Sequence, residues 1–181
     1  MKIVAFTGMP FSGKTEAVQI ATSLDIPVVR MGDTIWDEVK KRGLDLNDVN
    51  VGKVANQMRK KCGMEIWAKK TLSIIQQMKN TDSIVIDGIR NVEEIDVFKK
   101  ELGQDFVVIA IHASKKIRYK RAMNRGRFDD SNDIEAIKAR DQREIKWGIS
   151  VVIASADIVI SNEGTIDEFR DKIKNILRDL Q

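Results

Sequence analysis

The sequence is organised around residues 8–15, Gly8-Met9-Pro10-Phe11-Ser12-Gly13-Lys14-Thr15. This segment fits G-x-x-x-x-G-K-[ST] at every position, and it lies between the apolar run Lys2–Thr7 and an amphipathic run that starts near Gly13. A strand, a glycine-rich turn and a helix form the setting in which backbone N–H groups and the helix N-terminus bind phosphate. The motif predicts a nucleoside triphosphate site made by residues 8–15, with Lys14 at the β- and γ-phosphates and Thr15 on Mg²⁺.

Apolar and amphipathic runs alternate along the rest of the chain. The apolar runs are short enough for buried parallel strands, and the amphipathic runs between them predict crossover helices. We therefore expect one α/β domain over residues 1–181, with a parallel sheet and helices on both faces. Residues 32–80 form the longest stretch without a strand and predict a helical flap over the carboxyl edge of the sheet. The predicted strands are Lys2–Thr7, Ile26–Met31, Ser83–Asp87, Phe106–His112 and Asp157–Ser161.

Composition excludes several classes of protein. The 181 residues are enough to bury one core without disulfides or metal ions. Cys62 is the only cysteine, which excludes an internal disulfide and a multi-cysteine zinc module. No apolar run approaches the roughly 20 residues that a bilayer span requires. We expect a cytoplasmic protein that does not act at a membrane.

The third apolar run ends in a carboxylate, Asp87. In proteins with this phosphate motif, such a strand-terminal aspartate accompanies the magnesium ion, so Asp87 is predicted as a metal residue. Gly88 follows it and allows a ligand to approach the strand end, while Arg90 can hold a second phosphate. We interpret Gly88 and Arg90 as acceptor-binding residues; an ordinary turn after a strand is the alternative.

Positive charge is concentrated in one segment. The net charge is +4, yet residues 115–127 hold seven basic residues and no acidic ones, so the rest of the chain carries −3. Arg118, Arg121 and Arg125 share one face of the predicted helix. Arginines placed on a transferring phosphoryl group stabilise its charge, which favours Arg121, Arg125 and Arg127 as site residues.

Two other interpretations of this segment stay open: a solvated helix face and a nucleic-acid patch. Only Tyr119 and Phe128 could stack on bases there, so nucleic acid is not the expected partner. On the next predicted helix, Arg140 could face the same phosphates or pair with nearby acidic residues on the surface. The same applies, less strongly, to Arg143.

In order and spacing, the motifs resemble those of nucleoside monophosphate kinases, and especially an archaeal adenylate-kinase-related family described as dephospho-CoA-kinase-like. The resemblance implies a three-layer P-loop NTPase fold, with a five-stranded parallel sheet of order 2-3-1-4-5. It also implies a helical acceptor-binding insert near 33–80 and a short lid near 125–133. The matching segments are Gly8–Thr15, Met31–Asp33, Asp87–Arg90, Arg121–Asp130 and Ala156–Gly164.

The same resemblance implies roles for single residues. Arg121 would lie near the adenine, Arg125 and Arg127 would bind phosphate, and the backbone of Asn162 and Gly164 would approach the base. The predicted activity is transfer of the ATP γ-phosphate, with Mg²⁺, to a small-molecule acceptor. Asp33 or Asp87 would orient the metal and the acceptor. The predicted catalytic residues are Lys14, Asp33, Arg125, Arg127 and Arg140.

The acceptor itself stays open at this point. Trp36 stands where adenylate kinases have an arginine that holds the acceptor's phosphate. We interpret Trp36, like Trp67, as part of the core of the insert; stacking on an acceptor is the alternative. The competing function is an ATP-binding or ATP-hydrolysing regulator that acts through a macromolecular partner such as RNA. Oligomeric state is not predicted.

Overall fold

The structure is a computed structural model that describes residues 2–78, 81–125 and 133–179. Its five described strands form one sheet in the order β2-β3-β1-β4-β5, and every neighbouring pair is parallel. This confirms the expected fold class and strand order. The strands are β1 (Lys2–Thr7), β2 (Val28–Arg30), β3 (Ser83–Asp87), β4 (Phe106–His112) and β5 (Ile158–Ser161).

The central strand explains why helices cover both faces of the sheet. All residues of β1 after Lys2 are buried, on both sides of the strand, as expected for a parallel strand between two helical layers. The register places Phe6 of β1 opposite Asp87 of β3. The turn that follows β1 and the carboxylate that ends β3 therefore meet at the same edge of the sheet.

Nine α-helices lie in the described part of the chain. Helices α1 and α9 cover one face, around Phe6 and Phe169. The other face packs on α2–α5 and α8, around Trp67 and Phe98. The helices are α1 (Lys14–Ser23), α2 (Met31–Lys41), α3 (Asp48–Cys62), α4 (Ile66–Ile75), α5 (Val92–Leu102), α6 (Lys115–Arg125), α7 (Ile134–Trp147), α8 (Ile149–Ala154) and α9 (Ile166–Asp179).

The segment expected as a helical insert contains α2, α3 and α4 between β2 and β3. Strand β2 is shorter than expected because α2 already begins at Met31. Helix α8 was not predicted; Gly148, with φ +105°, ends α7 and begins α8. Of the expected lid, residues 126–132 lie outside the described residues. Within the described ranges, each helix is too short or too polar to cross a membrane.

Candidate active site

The turn between β1 and α1 has space for glycine alone at two positions. Gly8 has φ +145° and Gly13 has φ +116°. A side-chain carbon on Gly8 would collide with the carbonyl oxygen of Ile111, and one on Gly13 with the side-chain amide of Asn162. Both the backbone angle and the surroundings therefore require the glycines that the sequence motif specifies.

Lys14 reaches back across this turn. Its Nζ donates to the carbonyl oxygen of Gly8 at 2.6 Å and to that of Met9 at 3.1 Å. Burial at the floor of the site lowers the pKa of Lys14 to about 8, against the opposing effect of the nearby Asp87 carboxylate. A bound polyphosphate would replace the two carbonyl oxygens as partners and favour the charged amine.

Asp87 and Thr15 fit a magnesium ion. The Oδ1 atom of Asp87 is buried and has no hydrogen-bond partner, an arrangement that costs about 1–3 kcal/mol or more unless a ligand satisfies it. Thr15 lines the same cavity. The described residues hold no cluster of three His, Cys, Asp or Glu side chains that could bind a metal alone. Magnesium typically takes one or two protein ligands plus substrate phosphates, which is the arrangement these two residues allow.

Arg121 and Asn162 meet beside the turn. Arg121 Nη2 donates to the Asn162 carbonyl oxygen at 2.9 Å, and Asn162 Nδ2 donates to the Ser12 carbonyl oxygen at 2.8 Å. Arg121, Asn162 and Gly164 all line the cavity at this end. The structure thus brings together the three residues expected near the base of the nucleotide, although the Asn162 side chain supports the phosphate turn.

Arg90, whose charge acts on the nearby Lys14, is held in place by three hydrogen bonds. Its Nε donates to Glu144 Oε2 at 2.7 Å and its Nη1 to the Gly88 carbonyl oxygen at 2.6 Å. The backbone N–H of Arg90 donates to Glu94 Oε2 at 2.8 Å. Glu94 is fully buried and also accepts from Arg59 Nη2 at 2.9 Å. Gly88 and Arg90, the predicted acceptor-binding residues, both line the cavity.

The two tryptophans of the insert have different surroundings. Trp67 is completely buried, and its Nε1 donates to the Ala55 carbonyl oxygen at 3.4 Å. Trp36 is half-buried and lines the cavity, as Asp33 does. The interpretation of Trp36 as core is therefore wrong, because Ile35 and Val39 occupy the core face of α2.

Asp33 is partly desolvated where it lines the cavity. This desolvation raises the pKa of Asp33, and the charge of Arg30 opposes the rise.

Arg118 does not share a phosphate-facing surface with Arg121. It is 5% exposed and donates to both carboxylate oxygens of Asp141, at 2.9 and 2.7 Å. It also donates to the Pro10 carbonyl oxygen at 3.0 Å. Arg118 therefore joins α6, α7 and the phosphate turn as a structural residue. The side chain of Arg125, and all of Arg127, lie outside the described residues.

Arg140 and Arg143 project from α7 towards the insert. Arg140 lies over the Phe11 ring, 5.5 Å from its centroid, and its Nε is 3.4 Å from Asp48 Oδ1. Arg143 Nη2 donates to the same oxygen at 2.7 Å. Only Arg140 of the pair lines the cavity. The predicted contact of Arg140 with a phosphate in the cavity is thus possible, whereas Arg143 binds the insert.

One cavity of about 1260 Å³ is lined both by the phosphate turn and by residues of the insert. Sites for one small ligand usually measure about 300–1,000 Å³, so this cavity has room for a nucleotide and a second molecule. Asp48 and Glu144 line it and were not predicted. The sequence offers little indication of either residue, because each one's partner in the site is an arginine from a distant segment of the chain.

Comparison with known proteins agrees with this geometry. A family profile described as "AAA domain" matches residues 7–138. The solved structures that resemble the chain include a shikimate kinase from Aquifex aeolicus, with a TM-score of 0.54, 18% identity and coverage of 97% of this chain and 96% of that one. A gluconokinase from Sinorhizobium meliloti has a TM-score of 0.59 and 13% identity, with coverage of 99% and 93%. At such low identity these matches show the fold.

Sequence relatives are much nearer. A UPF0200 protein of Methanosarcina barkeri is 46% identical over 177 residues, which covers 98% of this chain and 95% of that protein. A UPF0200 protein of Methanosarcina mazei is 44% identical, with coverage of 98% and 94%. Because these matches extend over nearly the full length of both proteins, the chain belongs to the UPF0200 protein family, and its fold is that of the P-loop kinases.

Proposed function

We propose that the protein is a phosphotransferase that moves the γ-phosphate of ATP to a small-molecule acceptor. The observation that carries the proposal is a single cavity lined by the phosphate turn with Lys14 and also by Asp33, Trp36 and Arg90, which form its acceptor end in this proposal. The solved structures of the same fold titled shikimate kinase and gluconokinase support this choice of reaction.

The donor would lie on the turn of residues 8–15. Backbone N–H groups of the turn and the N-terminus of α1 would bind its phosphates, and Arg121 with Gly164 would border the base. Asp87 and Thr15 would hold Mg²⁺. The ion, when bound, neutralises charge on the β- and γ-phosphates.

The protein's own part in the reaction is positioning and charge stabilisation. Lys14 lies near Arg90, Arg140, Asp87 and Glu144, whose charges all act on its pKa. Lys14 and Arg140 would therefore meet the transferring phosphoryl group, while Asp33 orients the acceptor hydroxyl and accepts its hydrogen bond. In this proposal Arg125 and Arg127 close over the phosphates and exclude water.

The test measures ADP release in the presence of Mg²⁺ and ATP, with and without a panel of nucleosides, nucleotides, sugars and dephospho-CoA. One acceptor should stimulate release, and Lys14→Met and Arg127→Ala should each lower the stimulated rate by about 10²–10³-fold or more. Lys116→Met, which changes an exposed lysine of α6, is the matched control. Slow release that no acceptor stimulates would instead favour the ATP-hydrolysing regulator.

A further inference from the structure

We infer that the acceptor is an uncharged, hydroxyl-bearing molecule and not a phosphorylated one. The inference rests on the proposed function, since it concerns the acceptor end of the same cavity. It follows from how the arginines at that end are paired. Arg90 and Arg140 both line the cavity, and each lies within 3.4 Å of a carboxylate that lines it too.

Arg90 is the first case. Glu144 Oε2 accepts a hydrogen bond from Arg90 Nε at 2.7 Å, so the guanidinium already has a carboxylate partner. The Glu144 side chain is 5% exposed. Burial raises the pKa of Glu144, but the charges of Arg90, Arg140 and Lys14 outweigh that effect and the net shift is downward. Glu144 therefore stays ionised at neutral pH.

Arg140 is the second case. Its Nε lies 3.4 Å from Asp48 Oδ1, and Arg143 donates to the same oxygen at 2.7 Å. Asp48 is the first residue of α3, so it carries this negative charge from the insert to the wall of the cavity. The Arg143 guanidinium also packs against Gly52, one turn along α3, where a side-chain carbon would lie 2.8 Å from it.

Arg30 and Asp33 line the cavity as well. The two contacts Arg90–Glu144 and Arg140–Asp48 thus place a carboxylate beside each of these arginines. At an effective dielectric constant of 20, a unit charge 4 Å away contributes about 4 kcal/mol. A phosphate placed beside Arg90 and Arg140 would therefore also be repelled by Glu144 and Asp48, while Lys14 is engaged by the donor phosphates.

Hydroxyl groups suit the same wall, because they can accept from an arginine and donate to a carboxylate without adding charge. Apolar surface completes the acceptor end, from Trp36, Val51 and Ile149. Such a wall fits a molecule with several hydroxyls and one apolar or flat face, the class that includes nucleosides, sugars and cyclitols.

The experiment separates phosphate binding at this end from binding of the donor. The donor site is filled with Mg²⁺ and a non-hydrolysable ATP analogue, and inorganic phosphate is titrated in a calorimeter. We expect the wild-type protein to bind no phosphate up to about 10 mM, whereas Glu144→Gln and Asp48→Asn each gain affinity by about tenfold or more. Glu135→Gln, on the exposed side of α7, is the control and should stay like wild type.

Asp48 is partly exposed, so Asp48→Asn should fold even if the change at the buried Glu144 destabilises the protein. Millimolar binding of phosphate by the wild type, or no gain in a folded Asp48→Asn variant, would overturn the inference. If the ATP analogue itself fails to bind, the proposed function fails. In that case the difference in phosphate affinity between Asp48→Asn and the wild type still tests the acceptor end, because the phosphate turn is the same in both proteins.

Matched acceptors give a second readout. Pairs that differ by one phosphate, such as adenosine and AMP or ribose and ribose 5-phosphate, are compared in the ADP-release assay. In the active pair the uncharged member should have the higher kcat/KM, by about tenfold or more, which equals about 1.4 kcal/mol. A higher kcat/KM for the phosphorylated member would refute the inference while leaving the kinase activity established.

Discussion

Arg118 offers a sharp test of how the basic segment of α6 divides between structure and chemistry. It lies on the same helix as Arg121, but it binds Asp141 of α7 and the Pro10 carbonyl oxygen of the phosphate turn. The side chains of Arg118 and Asp141 are 6% and 7% exposed. Replacing Arg118 with methionine would leave the Asp141 charge buried without its partner.

The size of the effect follows from that burial. Breaking a buried ion pair from one side costs about 3–5 kcal/mol. For a protein of this length, each kcal/mol shifts Tm by about 2–4 °C, so Arg118→Met should lower Tm by about 6–20 °C. Replacing both partners, as Arg118→Met with Asp141→Leu, removes the buried charge as well and should restore most of the loss.

The assay is a double-mutant cycle in urea, with unfolding followed by circular dichroism. Lys116→Met, an exposed residue on the same helix, is the matched control and should change stability by less than about 0.5 kcal/mol. A loss of less than about 1 kcal/mol in Arg118→Met would refute a structural role for this ion pair, and so would a double variant as unstable as the sum of the two single ones.

Three further predictions concern the phosphate turn and the support of Arg90. Gly13→Ala should abolish binding of the ATP analogue and lower stability by about 2 kcal/mol or more, since the φ of +116° and the Asn162 amide both oppose a side chain. Calorimetry measures the binding and thermal unfolding measures the stability. A variant that binds the analogue normally would contradict the strained geometry. Lys14, with its pKa lowered to about 8, is charged below that pH and loses its proton above it, so nucleotide affinity should be flat below about pH 7.5 and fall above pH 8. Lys14→Arg should remove this alkaline decline, and an unchanged decline would assign it to another group. Glu94→Gln should weaken the contacts of Glu94 with the Arg90 backbone and with Arg59, and so destabilise the protein by about 3 kcal/mol. Urea unfolding measures this loss, with the change at the exposed Glu93, Glu93→Gln, as the control. Equal stability of the two variants would show that Glu94 does not support Arg90 and Arg59.

The donor end could be predicted from the sequence because its chemistry is local. A tight turn that presents backbone N–H groups to phosphate requires Gly8 and Gly13 at fixed spacing, and these are within five residues of each other. The position of Asp87 was equally predictable, since a carboxylate at the end of a buried parallel strand must lie at the carboxyl edge of the sheet. Both expectations needed only the strand pattern and the motif.

The acceptor end could not be predicted in the same way, because its residues are defined by partners far along the chain. Glu144 is 54 positions from Arg90, and Asp48 is 95 positions from Arg143. Nothing in the local sequence tells an arginine that binds phosphate from one that is neutralised by packing. The prediction that Trp36 belongs to the core was wrong for a related reason. Helical periodicity places this residue near the boundary between the core face of α2 and the cavity.

Asp48 joins α3 of the insert to α7. Asp48 lies on the insert, and it shares one carboxylate oxygen between Arg140 and Arg143 on the helix that follows residues 125–133. An acceptor hydroxyl that takes a hydrogen bond from Arg140 competes with Asp48 for that arginine. Such competition would free Arg140 to move towards the phosphoryl group only when an acceptor is present. Water has no apolar face for Trp36, Val51 and Ile149 to bind, so it would compete only weakly with Asp48 for Arg140. Hydrolysis of ATP without an acceptor should therefore stay slow.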